Sequence, residues 1–125
     1  MMVQTQTGSI LVIEDDLRLN RLFCRQLAAA GFTTEGARSI AQARDVLLDS
    51  APPQLVILDL TLADGDGVEL LDLLGQDTFR ATRVVIVSGD PYASTHGLEG
   101  YRVDHVLMKP VSPRGLALLV KDLLN

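Results

Sequence analysis

The sequence predicts a doubly wound α/β fold, with one parallel five-stranded sheet and helices on both faces. Three observations predict it. Short apolar runs, at 10–13, 55–58, 84–87 and 106–108, have the length of buried strands and are too short for buried helices. Amphipathic stretches separate them, and that alternation implies a parallel sheet covered on both sides. Each run also ends in polar or charged residues: Glu14-Asp15-Asp16, Asp59, Ser88-Gly89 and Lys109-Pro110.

Taken in order, the first strand covers 9–13. A helix follows over 17–30, with Leu17, Leu19, Leu22, Phe23 and Leu27 as its apolar side, and Gly31 closes it. Residues 32–36 read as a short, weaker strand. Ser39 is placed to cap a helix reaching residue 49, in which Ile40, Ala43, Val46 and Leu47 recur at helical spacing. Pro52-Pro53 stops it and leads into a third strand over 55–59. Gly65-Asp66-Gly67 marks a turn before a helix over 68–74, and the fourth strand covers 84–87. The segment 90–101 contains Pro91, Gly97 and Gly100, so the fourth helix should be short or frayed. The fifth strand, 105–108, runs into Lys109-Pro110. Ser112 can cap a last helix, with Pro113 at its first position and Leu116, Leu119, Val120 and Leu123 as its stripe. Right-handed crossovers leave few topologies for five such units. The flavodoxin-like order 2-1-3-4-5 fits, with its switch point between the first and third strands.

At 125 residues the chain is long enough for one domain with a proper core. Residues 9–125 are expected to form it, behind a flexible polar leader over 1–8. Eleven basic against 16 acidic residues give a net charge of −5, which argues against direct nucleic-acid binding. No apolar stretch approaches the roughly 20 residues that span a bilayer, and the N-terminus lacks the layout of a secretion signal. The single Cys24 excludes an internal disulfide and reads as a buried structural thiol. A cytoplasmic setting is the expectation.

In an open α/β sheet, ligands sit beyond the carboxyl ends of the strands. Glu14, Asp15 and Asp59 would meet there, and such a cluster of carboxylates demands a cation or raised pKa values. Magnesium takes oxygen ligands, commonly one or two carboxylates with waters and a phosphate. Asp16 reads instead as the start of the following helix. Asp59 is the candidate nucleophile, since an aspartate can accept a phosphoryl group as an acyl phosphate. Lys109 and the Ser88 hydroxyl could neutralise and bind the phosphoryl oxygens. The Lys109-Pro110 bond is a candidate cis peptide.

With those residues in place, the chain resembles the receiver domain of two-component response regulators, a CheY-like family. The resemblance spans 10–124 and rests on Ile10-Leu11-Val12-Ile13-Glu14-Asp15-Asp16, Val56-Ile57-Leu58-Asp59-Leu60, Asp66-Gly67, Val87-Ser88 and Lys109-Pro110. It implies that Asp59 accepts the phosphoryl group, and that Glu14, Asp15, Asp59 and the Thr61 carbonyl hold Mg2+. It implies that Ser88 and Lys109 are the family's hydroxyl and lysine. A sensor histidine kinase or a histidine phosphotransfer protein would be the donor, with an effector protein or domain downstream. The protein would be a switch rather than a turnover enzyme. The sequence departs from the family at three places. Ala63 stands where a proline is usual, Ser88 where threonine is commoner, and Val106 where an aromatic normally reports the state of the site. Tyr92 and Tyr101 are too distant in sequence to be assigned that role.

Two other classes share parts of this pattern. A receiver-like interaction module with a vestigial pocket would share the fold but bind magnesium poorly. An aspartyl-phosphate phosphatase would want a second acid two residues after Asp59, where Thr61 stands. Asp64-Gly65-Asp66-Gly67 has the composition of a calcium loop, but Leu62 and Leu73 fall at its first and last ligand positions. Neither His96 nor His105 has a partner at zinc spacing.

Overall fold

The computed structural model describes residues 9–62, 64–90 and 97–125. The expected leader, most of the expected fourth helix, and the readings of Ala63, Tyr92 and His96 lie outside the described residues.

The main sheet comprises β1 (Ser9–Ile13), β2 (Thr33–Ala37), β3 (Leu55–Asp59), β6 (Arg83–Ser88) and β7 (His105–Met108). Its strands are all parallel and run in the order β2-β1-β3-β6-β7. This is the expected flavodoxin-like topology. A small antiparallel ribbon, β4 (Thr61–Leu62) with β5 (Gly65–Asp66), lies between β3 and the next helix. Two-residue strands carry no periodicity, and the sequence showed only a turn there.

Side chains along the central strands alternate between two cores. Leu11, Ile13, Val56, Leu58, Val84 and Ile86 face α2 (Ile40–Asp49) and α3 (Val68–Leu74). Ile10, Val12, Leu55, Ile57, Val85 and Val87 face α1 (Leu17–Ala29) and α4 (Pro113–Leu124). Burial on both faces is why these strands read as unbroken apolar runs.

The helix ends follow local chemistry. The Asp16 carboxylate accepts from Leu19 N–H, the Ser39 hydroxyl from Gln42 N–H, and the Ser112 hydroxyl from Gly115 N–H. Gly31 adopts φ +103° past the end of α1, a conformation glycine tolerates without strain.

The expected apolar side of α1 needs correction. Phe23 and Leu27 are buried, but Leu17 and Leu22 are 37% and 40% exposed. Asn20, only 5% exposed, occupies the core side with them. Positions 20, 23, 24 and 27 match the i, i+3, i+4, i+7 template. Choosing leucines over an asparagine rotated the stripe.

At the opposite edge of the sheet from the strand ends, Arg102 gathers backbone carbonyls. Its guanidinium donates to the carbonyls of Thr82, Leu74 and Phe79, joining the end of α3 to the start of β6. Beside it, Asp104 accepts from Val84 N–H at 2.7 Å and pairs with Arg83 at 3.2 Å. Hydrogen bonds from a charged donor are worth about 1.5–3 kcal/mol, and orphaned carbonyls add to the loss. Arg102→Ala is expected to lower unfolding free energy by about 2–3 kcal/mol. Urea unfolding midpoints at unchanged slope measure this, and a shift within error would show the carbonyls are equally served by water.

Candidate functional site at the strand ends

The site is built where β1, β3, β6 and β7 end. β1 hands the chain to Glu14 and Asp15, β3 ends in Asp59, β6 in Ser88, and Lys109 directly follows β7. One carboxylate oxygen from each of Glu14, Asp15 and Asp59 lies within 4.8 Å of the others. Lys109 Nζ lies 2.9 Å from Asp59 Oδ2 and 3.3 Å from Glu14 Oε1. Asp59 Oδ1 accepts from Thr61 N–H at 2.9 Å. Three carboxylates face one ammonium, and both Glu14 and Asp59 are nearly inaccessible to water, at 2% and 3% exposure. Hard oxygen donors, an excess of negative charge and restricted water fit a small divalent cation.

Burial is the main reason the Glu14 carboxyl is pushed up to about 7. The N–H of Asp16, which donates to Glu14 Oε2 at 3.1 Å, partly opposes this, and the nearby Asp59 charge reinforces it. For Lys109 burial favours the neutral amine, but the hydrogen bond to Asp59 and the charges of Asp59 and Glu14 outweigh it. Its pKa is raised, so it stays an ammonium.

Ser88 is fully buried, and its hydroxyl is engaged with its own turn. Its Oγ accepts from Asp90 N–H at 3.1 Å and lies 3.3 Å from the Asp90 carbonyl. The register pairs Asp59 with Val87, so Ser88 lies one residue further along the neighbouring strand, with its hydroxyl directed at the Asp90 backbone. Thr61 is exposed on β4, one residue past the Leu60 that follows Asp59. The Lys109-Pro110 peptide is cis. Val106 packs against the core beside α2 and α3, together with Tyr101 and Val103, while His105 is exposed. Cys24 is half-buried among core residues, and burial raises its thiol pKa.

The loop after Asp59 is held by its own residues. A Cβ on Gly67 would lie 2.8 Å from the Asp59 carbonyl oxygen and 3.1 Å from Leu60 Cα. Only glycine lets α3 start this close to the strand end, and Gly67 N–H donates to the Leu60 carbonyl at 2.8 Å. Asp66 accepts from Val68 N–H at 3.0 Å. Asp64 reaches across to accept from Ile40 and Ala41 N–H, at 2.9 and 3.2 Å. Its pKa is lowered, chiefly by the Ile40 bond. Sequence reading missed Asp64 and Asn20 as supporting residues, because their partners are 23 to 24 and up to 17 positions away.

Comparison with known proteins converges on one family. A family model described as "Response regulator receiver domain" matches residues 10–121. The "Transcriptional regulatory protein ResD" of Bacillus subtilis is 30% identical over 130 residues, covering 99% of this chain and 51% of its own length. The "Swarming motility regulation protein RssB" of Serratia marcescens is 48% identical over 63 residues, or 50% of this chain and 28% of its own. A CheY-like response regulator receiver domain protein from Methanospirillum hungatei superposes with a TM-score of 0.81 at 25% identity, covering 95% of this chain and 94% of its own. The chain spans about half or less of the length of these curated relatives.

The raised Glu14 carboxyl has a consequence for stability. Below about pH 4.5 the group is protonated in both states. Between 4.5 and about 7 the folded state keeps a proton that the unfolded chain releases, so stability falls as pH rises. In magnesium-free buffer, Glu14→Gln is expected to gain stability relative to the parent across that window and to plateau above it. Denaturant midpoints for both proteins from pH 4 to 8 check this; a constant difference would show that Glu14 titrates normally.

Proposed function

The chain belongs to the response regulator receiver domain family, and on that premise we propose that it accepts a phosphoryl group on Asp59 and acts as a switch. The observation that carries this reading is the buried Asp59 carboxylate, 2.9 Å from the Lys109 ammonium and grouped with Glu14 and Asp15. The donor is a sensor histidine kinase or a histidine phosphotransfer protein. A carboxylate oxygen of Asp59 attacks phosphorus, the new O–P bond forms, and the P–N bond to the donor imidazole breaks. Glu14, Asp15, Asp59 and the Thr61 carbonyl would hold Mg2+, which would supply positive charge against the phosphoryl oxygens.

The chain's own groups do the rest. Lys109 presents a permanent positive charge to the acceptor carboxylate and then to the phosphoryl oxygens. Burial of Asp59 and Glu14 limits competing water. Ser88 gives up its contacts with the Asp90 backbone when its hydroxyl turns to a phosphoryl oxygen. That exchange biases the chain after β6 between two arrangements, and an effector protein or domain reads the difference. Residues 9–125 form the receiver unit, in a cytoplasmic setting that the lone, half-buried Cys24 supports. Among the described residues no helix is long and apolar enough to cross a membrane.

One observation favours a second reading. Val106 is a stiff β-branched residue held against the core, so it offers no aromatic rotamer change. A module that signals through binding alone would tolerate this. Intact mass after incubation with magnesium and acetyl phosphate separates the two readings. The parent is expected to gain one phosphoryl group and Asp59→Asn none. An unmodified parent that is folded and binds no magnesium would support the binding module.

Lys109→Ala is expected to retain magnesium binding while losing the conformational response to phosphorylation. Amide shifts of residues 83–90 with and without acetyl phosphate check this; a response equal to the parent's would remove Lys109 from the mechanism.

A further inference from the structure

Asn20 is a buried amide that the phosphoryl chemistry above does not use. Its Nδ2 donates to the Glu14 carbonyl at 2.9 Å and to the Ala37 carbonyl at 3.0 Å, with the Val12 carbonyl at 3.4 Å. Three carbonyl oxygens around one nitrogen settle the amide's orientation, since the reverse would set oxygen against oxygen. Its Oδ1 lies over Gly36 and accepts from the Cys24 thiol at 3.5 Å. A Cβ on Gly36 would lie 2.3 Å from that oxygen, and its three nearest atoms would all belong to Asn20. Gly36 is therefore the socket for this amide.

The backbone that Asn20 holds carries the acids. Glu14 N–H already donates to the Ala37 carbonyl at 3.0 Å. With Asn20 on the Glu14 carbonyl, both backbone polar groups of Glu14 are bonded. The Glu14 carbonyl shares a peptide plane with Asp15 N–H. Fixing that plane sets the directions in which both carboxylates leave the chain. Downstream, the Asp16 cap and the Asn20 N–H to Asp16 carbonyl bond, 2.9 Å, tie the same loop to α1.

We propose that Asn20, seated against Gly36, is a positioning residue that orients the Glu14–Asp15 peptide and so sets the affinity of the acidic cluster for Mg2+. This rests on the reading of that cluster as a magnesium site. Groups that orient metal ligands from behind change affinity by about 10–100-fold when removed.

Magnesium titrations followed by backbone amide shifts test it on the full chain. Asn20→Ala removes the amide, Gly36→Ala displaces it from another strand, and Thr82→Val serves as a control. Thr82 is 1% exposed and donates to the Pro53 carbonyl at 2.7 Å, just before the start of β6, at the opposite end of the strand from Ser88. Asn20→Ala and Gly36→Ala are each expected to raise the magnesium dissociation constant by about tenfold, with Thr82→Val within twofold of the parent. In an Asn20→Ala background, Gly36→Ala should add little, because the atoms it meets are gone. Parent-like affinity in both variants overturns the proposal, as does an equal loss in Thr82→Val, which would mark a general effect of destabilisation. A parent that binds no magnesium overturns the metal reading itself, and that failure is distinguishable from the others.

Discussion

Two carboxylates are buried at the end of this sheet and share a single lysine. Asp59 and Glu14 both contact Lys109 Nζ, at 2.9 and 3.3 Å, and Asp15 stands beside them. Removing charge from water costs several kcal/mol per ion even after the protein relaxes. One ammonium cannot offset three acids, so the arrangement is held in a state that favours added positive charge. Glu14 shows the stress directly in its raised pKa. A site with this imbalance favours added positive charge, which the proposed divalent cation would supply.

Such an arrangement persists only if the backbone around it cannot relax. The parallel sheet supplies part of that rigidity, because its central strands are packed on both faces and the acids extend directly from them. Backbone tethers supply the rest. Asn20 and Ala37 hold Glu14, Thr61 N–H holds Asp59, and Gly67 lets α3 press against the Asp59–Leu60 backbone. Asp64 ties the following loop to the start of α2. These contacts tie α1, β2, α2 and α3 to the strand ends that carry the carboxylates. The Ser88 turn is different. Among the described residues its hydroxyl bonds to the local backbone at Asp90, two positions along the chain.

The fold and the chemical core of the site were readable from residue order. Strand-length apolar runs such as Leu55-Val56-Ile57-Leu58, each ending in a polar residue, carry the sheet and its functional edge together. Capping residues such as Ser39 and Ser112 mark helix starts through contacts only three positions away. Periodicity and capping are local, and local rules survive without knowledge of the partner elements. The correct strand order followed from handedness and from where the acids fell.

Other features required the folded chain. Which side of α1 faces the core depended on Gly36, a distant glycine whose missing side chain admits Asn20. A leucine is the better guess for a buried position until the three carbonyls awaiting that amide are known. The same holds for Asp64, whose partners at Ile40 and Ala41 come from another helix, and for Arg102, whose carbonyls come from the end of α3, its following turn and the approach to β6. Residue types and their spacing indicated which charged and polar groups meet at the strand ends, because charge and periodicity belong to the sequence. Tertiary structure decided the orientation of the groups, since a hydrogen bond between distant elements exists only once packing has brought them within about 3 Å.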